Sequence, residues 1–286
     1  MRPHAVYPVD PISEPEAVAP LPGPPAHPIA VAPPSELPDR ADSVVDLLDA
    51  TLALAASFFF LIGAATIFSI IAQHTHALKG KALEDAFTHN VFFIVPLQLV
   101  VYVATTGFMA LLVWARHRTS LPQAIRWNAP DGRRALNAVM VGAALALVSD
   151  AGEIVLHRWI PKSLPITDYF HDRPSALLLA GFAVLVAPLM EEIFFRGFLY
   201  PGLARWTGAV PSILITASAF TLLHGSQLSF SWAPLLLIFV VGLALTVARA
   251  TTKSVATCVI IHMAYNFALM AQTFIFTHGF RQLQGD

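Results

Sequence analysis

Long apolar segments recur along this sequence and are separated by short polar stretches. A helix that spans a bilayer needs roughly 20 predominantly apolar residues. Five segments approach or exceed this length: Ala50–Gln73, Asn90–Ala115, Ala135–Leu156, Ser175–Tyr200 and Ser254–Phe280. The first two contain no charged residue at all. The pattern predicts a membrane-spanning helix for each of the five.

The stretch Trp206–Ala248 contains no Lys, Arg, Asp or Glu and is too long for one span. Its polar break at Gly225-Ser226-Gln227 predicts a turn between two further spans. We therefore predict an all-α fold, a polytopic transmembrane helical bundle of about seven spans.

Composition supports this fold class. The chain is 56% hydrophobic and 12% charged, with a mean hydropathy of +0.65. Soluble proteins carry about 25% charged residues, so this composition indicates a membrane protein. The net charge of −1 gives no basic surface that would favour nucleic acid as a partner. Cys258 is the only cysteine, which excludes disulfides and thiolate metal centres within one chain, and we predict that it is a buried packing residue.

The amino-terminal segment has a different character. Twelve of the 22 prolines fall between Pro3 and Pro38, without apolar periodicity. Such a segment buries too little surface to offset its ordering entropy, so residues 1–43 are predicted to be a disordered tail. The loops on the side of this tail carry more Lys and Arg than the opposite loops, which predicts a cytoplasmic amino terminus.

Ionisable residues inside the predicted spans are the strongest functional signal, since each costs about 2.5–3.5 kcal/mol to insert. Glu191, Glu192 and Arg196 lie in the fourth span. Glu192 and Arg196 have the i, i+4 spacing of an ion pair, which leaves Glu191 on a neighbouring face. The alternative interpretation is a charge cluster at a helix end that reaches the lipid headgroups.

Two histidine motifs follow in later spans. His224 comes four residues after Phe220, and His262 comes four residues before Asn266, which places the latter two on one helix face. Taken singly, His224 fits a hydrogen-bonded core histidine, and His262 with Asn266 fits a polar contact between helices.

The depths of the three motifs favour a shared site. Glu191 and His224 each lie about 16 residues from a predicted turn at Thr207-Gly208, or about 24 Å at 1.5 Å per residue. His262 lies about 15 Å beyond the next turn, near Arg249–Lys253, on the same side. All three motifs can therefore meet in one buried cavity.

This set predicts acyl-bond hydrolysis within the membrane. A buried carboxylate with a neighbouring histidine can activate water as a general base, and His262 with Asn266 can donate hydrogen bonds to an oxyanion. Glu191, His224 and His262 would also be an acceptable zinc ligand set, so this chemistry leaves metal-bound and metal-free water open. A serine mechanism is weak because no Gly-x-Ser-x-Gly motif is present.

The motifs Glu-Glu-x-x-x-Arg, Phe-x-x-x-His and His-x-x-x-Asn together resemble the CPBP family of CAAX proteases and bacteriocin-processing or immunity proteins, also called the Abi family. The resemblance covers about residues 175–280. It implies a helical intramembrane endopeptidase with catalytic residues Glu191, His224, His262 and Asn266 and supporting residues Glu192, Arg196 and Phe220. Family labels often say metalloprotease, but we favour a mechanism without a metal cofactor, with zinc as the alternative.

Three expectations follow for the whole chain. Residues 44–160 are predicted to hold three accessory helices, and residues 174–280 the protease core, made of the last four spans. The expected location is a bacterial cytoplasmic membrane, with a membrane protein or peptide as substrate. The alternatives are a non-proteolytic immunity or regulatory protein of the same fold, and a transporter in which Asp150, Glu153 and Glu191 line a proton path.

Overall fold

The computed structural model describes residues 43–74, 80, 82–83, 86–87 and 90–282 of the chain. The predicted tail therefore lies outside the described residues, except for Ser43, whose hydroxyl donates to the Ala124 carbonyl. All of the described residues fall within one compact unit.

The described part of the chain is helical and contains no strand, which confirms the predicted fold class. Its main helices are α1 (Leu47–His74), α2 (Val91–His117), α3 (Leu121–Ala124), α4 (Gly132–Leu156), α5 (Arg173–Thr207), α6 (Ala209–Leu223), α7 (Trp232–Thr252) and α8 (Val255–Phe276). Short 3-10 turns at His157–Trp159, Pro165–Phe170 and Ser226–Leu228 lie in the connections.

Six described helices are long and apolar enough to cross a membrane, namely α1, α2, α4 with the turn that follows it, α5, α7 and α8. The fifth of the seven predicted spans corresponds to α6, which has only 15 residues and is classed as a shorter apolar helix. Both predicted turns around α6 are present, at Gly208 and at Ser226–Leu228. Gly208 has a positive φ of 83°, a conformation that glycine adopts without strain.

The helix α5 departs from regular α-geometry in two places. It begins at the N-cap Asp172, where the hydrogen bond from the Ser175 backbone N–H holds the pKa of that carboxyl below its usual value. Within the helix, Phe182–Val186 and Ile193–Leu199 are π-helical segments, in which backbone bonds join residues five apart.

Proline accounts for both π-segments. In the first, the Ala187 N–H bonds to the Phe182 carbonyl, so the next carbonyl, that of Ala183, would need the N–H of Pro188. In the second, the Tyr200 N–H bonds to the Phe195 carbonyl. The carbonyl that follows belongs to Arg196, and its partner would be Pro201. Proline has no N–H, so each π-segment leaves one carbonyl that needs a donor from elsewhere.

The helices predicted to be accessory pack closely against the later ones, and α4 with α8 forms the most extensive helix pair in the described residues. Gly142 of α4 lies directly against the backbone of α8, where a Cβ atom would clash with the Ile261 carbonyl and lie 2.7 Å from the Ala264 Cβ. This glycine lets the two helix backbones approach each other, as small residues do in membrane bundles.

An ionic cluster joins the start of α1 to the end of α2. The Asp49 side chain is fully buried and accepts hydrogen bonds from Arg116 and from His117, the latter at 2.7 Å. Asp46 accepts from Arg116 at 3.0 Å and exchanges backbone capping bonds with Asp49. Partial burial acts to raise the pKa of Asp46, but the hydrogen bond and charge of Arg116 outweigh it and hold this pKa below its ordinary value.

Candidate active site

The predicted ion pair in the fourth span is present and completely buried. The Arg196 Nη1 donates to the Glu192 Oε1 at 2.7 Å, and both side chains have no solvent exposure. Breaking such a pair by removing one partner typically costs about 3–5 kcal/mol, since a buried charge is left alone. The interpretation of these residues as an interfacial cluster is therefore wrong, because the pair lies inside the bundle and not at a helix end.

His262 lies between the two adjacent glutamates. Its Nδ1 is 2.9 Å from the Glu192 Oε1, and its Nε2 is 3.9 Å from the Glu191 Oε2. The Glu192 carboxylate already accepts from Arg196, so the Nδ1–H of His262 is the donor in the shorter contact. Glu191 differs from Glu192 in access, because 20% of its side chain is exposed whereas Glu192 has none.

His224 reaches the same region through Phe220. His224 caps the carboxyl end of α6, and its Nδ1 lies 2.9 Å from the Phe220 carbonyl. That contact makes Nδ1 the donor, so the Nε2 of the neutral ring is an acceptor that can take a proton. The Phe220 ring lies 4.7 Å from the ring of His224 and 5.8 Å from the ring of His262, measured between centroids.

Phe220 also contacts the buried cation. The Arg196 guanidinium carbon is 4.8 Å from the Phe220 ring centroid, within the range of a cation–π interaction. This aromatic side chain is therefore in contact with both histidines and with the ion pair. The family resemblance implied a supporting role for Phe220, but it predicted no contact with Arg196.

Asn266 binds the first π-segment. Its Nδ2 donates to the Ala183 carbonyl at 2.7 Å, the carbonyl that Pro188 leaves without a backbone donor. The amide nitrogen carries two N–H groups, so one of them is not used by this bond. Asn266 is half-buried and lies one turn along α8 from His262.

Three residues on α7 that contact Arg196 are absent from the sequence prediction. The Arg196 Nη2 donates to the Gly242 carbonyl at 2.8 Å, and its Nε donates to the Thr246 hydroxyl at 3.3 Å. The Arg249 Nε donates at 3.0 Å to the Arg196 carbonyl, the second carbonyl that a proline leaves without a donor. The predicted position of Arg249, at a turn between two spans, is wrong, because the residue lies within α7 and is only 3% exposed. Its position seven residues after Gly242, on one helix face, was an available signal.

Asp150, one of the residues of the proton path in the transporter alternative, is not part of the cluster around His262. Its carboxylate accepts a hydrogen bond from the Gln272 amide at 2.9 Å. Glu153 is exposed on the surface of α4. The structure gives neither residue a contact with Glu191 among the described side chains.

The alternative zinc set consists of Glu191, His224 and His262. Among the residues that the structure describes, the group whose metal-binding atoms lie within 4.8 Å of one another is Asp46, Asp49 and His117, not Glu191, His224 and His262. Both nitrogens of His262 face glutamate oxygens, and the Nδ1 of His224 faces a carbonyl.

The described residues therefore form a polytopic helical protein with a buried cluster of Glu192, Arg196 and His262 inside the helical bundle. Residues 173–268, roughly a third of the chain, match the family described as type II CAAX prenyl endopeptidase Rce1-like. This match confirms the resemblance that the three motifs indicated, and all three motifs lie within the matched residues, which we call the family segment. No curated protein and no solved structure matches the chain.

Proposed function

We propose that this protein is an intramembrane endopeptidase that hydrolyses a peptide bond of a membrane-associated protein or peptide. The observation that carries the proposal is the position of His262 between the Glu191 and Glu192 carboxylates, inside the family segment. The match to an endopeptidase family supports hydrolysis as the reaction class.

Glu191 and His224 activate the water molecule in this proposal. Glu191 has the exposure that a water-binding carboxylate needs, and it is not engaged in the Arg196 pair. The acceptor Nε2 of His224 can take the second hydrogen bond of the same water. Transfer of the water proton to this pair produces the nucleophile, and the same proton passes to the amine that leaves when the peptide bond breaks.

His262 and Asn266 stabilise the oxyanion that forms on the peptide carbonyl. His262 already donates through Nδ1 to Glu192, so in this proposal it donates to the oxyanion through Nε2 as an imidazolium. Asn266 offers the N–H that its bond to Ala183 does not use. Glu192, Arg196 and Phe220 hold His262 in place.

The proposed location is a bacterial cytoplasmic membrane with the amino terminus in the cytoplasm. The six candidate spans and the family segment support a multi-pass membrane protein. The excess of Lys and Arg in one set of loops supports the orientation.

Glu191→Gln is the central experiment. The substitution keeps the size of the side chain and removes its basicity, so we expect cleavage of a membrane-peptide library by the purified protein to fall at least about 100-fold. Glu153→Gln is the matched control, since it removes an exposed glutamate from α4, and it should retain wild-type cleavage.

Full cleavage by the Glu191→Gln protein would refute the proposal. A biological effect that persists in this variant without any cleavage would instead favour the immunity or regulatory alternative.

The dependence of cleavage on a metal is tested on the same preparation. We expect cleavage to survive a chelator and zinc to be far below one ion per chain, while stoichiometric zinc would overturn the metal-free mechanism.

A further inference from the structure

The Arg196 side chain is bound on two sides, by Glu192 and by residues of α7. The α7 residues are not part of the family motifs. Glu192 binds one side of the guanidinium through Nη1, and α7 binds the other through the Gly242 carbonyl and the Thr246 hydroxyl. The Thr246 hydroxyl in turn donates to the Gly242 carbonyl at 2.7 Å. Every nitrogen of the Arg196 guanidinium therefore has an acceptor in the bundle.

The backbone of Arg196 is held by the same helix. Arg249 donates to the Arg196 carbonyl, which Pro201 deprives of its backbone partner in the π-segment. Gly242, Thr246 and Arg249 follow one another at spacings of four and three residues, so they form one stripe on α7. We refer to these three residues as the α7 clamp.

Close packing brings this stripe to the site. A Cβ atom at Gly242 would lie 3.1 Å from the Phe220 ring, tighter than most contacts of real Cβ atoms. The glycine therefore allows α7 to approach α6 beside Phe220, and it leaves the Gly242 carbonyl within reach of Arg196. Gly242 and Thr246 are buried together with Arg196, so water does not compete for these hydrogen bonds.

We propose that the α7 clamp positions the catalytic histidine His262 through Arg196 and Glu192. The Glu192 Oε1 accepts from both Arg196 and His262, so the direction of the Arg196 side chain sets the direction of the carboxylate that orients the imidazole. The clamp residues do not touch the reacting atoms and are positioning residues. This inference rests on the proposed endopeptidase function and adds a third helix to the control of its oxyanion site.

Thr246→Val is the decisive substitution, because it keeps the shape of the side chain and removes its hydroxyl. We expect kcat to fall about tenfold, equivalent to about 1.4 kcal/mol, with KM within twofold of the wild type, since substrate contacts are unchanged. Thr246→Ser restores the hydroxyl and should restore kcat to within twofold.

Thr251→Val is the matched control. Its hydroxyl also donates to the backbone of α7, at the Val247 carbonyl, but it is exposed and has no contact with Arg196 among the described residues. This variant should keep wild-type kcat. If Thr246→Val retains wild-type kcat, or if Thr246→Ser loses as much activity as Thr246→Val, the clamp has no positioning role and the inference fails.

A second readout separates this inference from the proposed function. Hydrogen exchange of residues 193–199, measured on the full chain in detergent, should accelerate in Thr246→Val and not in Thr246→Ser or Thr251→Val. If the Glu191→Gln protein cleaves as well as the wild type, the endopeptidase proposal is refuted. The hydrogen-exchange data alone would then support or reject the clamp. Cleavage that depends on Glu191 but not on Thr246, with unchanged exchange, would overturn only the clamp.

Discussion

At the residue scale, Asn266 combines a structural and a chemical task. Its amide satisfies the Ala183 carbonyl that Pro188 leaves without a donor, and in our proposal its second N–H faces the oxyanion. The bond to Ala183 fixes the orientation of the amide before substrate arrives. Such preorganisation makes an oxyanion donor effective, because no reorientation is needed during the reaction.

Asn266→Ala should therefore lower kcat by about 100- to 1000-fold, the typical effect of removing one oxyanion donor, and change KM little. Steady-state cleavage kinetics in detergent measure both parameters. Asn128→Ala is the control, because Asn128 also donates its amide to a backbone carbonyl, that of Lys253, but at an exposed position. An Asn266→Ala protein that raises KM and keeps kcat would contradict the oxyanion role.

At the scale of helices, two prolines determine how α5 presents its functional side chains. Each π-segment exposes one carbonyl, and each carbonyl receives a side chain from a neighbouring helix, Asn266 of α8 or Arg249 of α7. These bonds tie α5 to both helices near Glu191 and Glu192. π-helical turns are frequent at functional sites, and here their geometry makes interhelical hydrogen bonds necessary.

The ionic cluster at the ends of α1 and α2 gives a pH-dependent prediction. The pKa of Asp46 is below its ordinary value of 3.8, so the Arg116 pair stabilises the fold above that pH and its contribution is lost as pH falls through the lower folded-state pKa. The pair is partly exposed, so Asp46→Asn should lower the free energy of unfolding by no more than about 1 kcal/mol at pH 7.

Thermal unfolding in detergent between pH 3 and pH 7 checks this expectation. The difference in Tm between the wild type and Asp46→Asn should be largest at pH 7 and should shrink as the pH falls below 3.8. Asp131→Asn is the control, because asparagine still caps α4 and the Arg134 pair is highly exposed. A Tm difference for Asp46→Asn that grows as the pH falls would show that the sign of this linkage is wrong.

At the scale of the whole molecule, the helices outside the family segment are part of the support of the site. The helix α4 packs along α8, which carries His262 and Asn266, and Gly142 allows this close approach. On α2, the Thr106 hydroxyl donates to the Met190 sulfur at 3.3 Å, one residue before Glu191. The side chains of Phe58, Phe59, Ile62 and Ile154 point outward, as expected for a surface that faces lipid.

Gly142→Ala should reduce stability, because its Cβ overpacks the α4–α8 interface at a cost of about 1–3 kcal/mol. Gly63→Ala is a matched control on α1, since a Cβ there meets nothing within 4 Å and alanine favours helix. Thermal unfolding in detergent should give a lower Tm for Gly142→Ala only. Equal Tm values for the two variants would mean that the close approach of α4 and α8 contributes no stability.

The sequence by itself determined the helical membrane fold and the motif residues. Apolar length predicts a spanning helix because the bilayer sets the length, and spacing of four predicts the Glu192–Arg196 pair because both residues lie on one helix face. A periodic pattern does not show which helices touch, so the hydrogen bond of His262 to Glu192 and its proximity to Glu191 required the tertiary structure.

Only the tertiary structure brings α7 into contact with Arg196. Thr246 and Gly242 resemble any small residue of an apolar span, and Arg249 resembles a charge at a helix end. Their task depends on a carbonyl that Pro201 leaves without a partner on another helix, and on the close approach that Gly242 permits. Such contacts join residues about 50 positions apart. Local spacing places Gly242 and Arg249 on one helix face, but it does not show which helix that face meets.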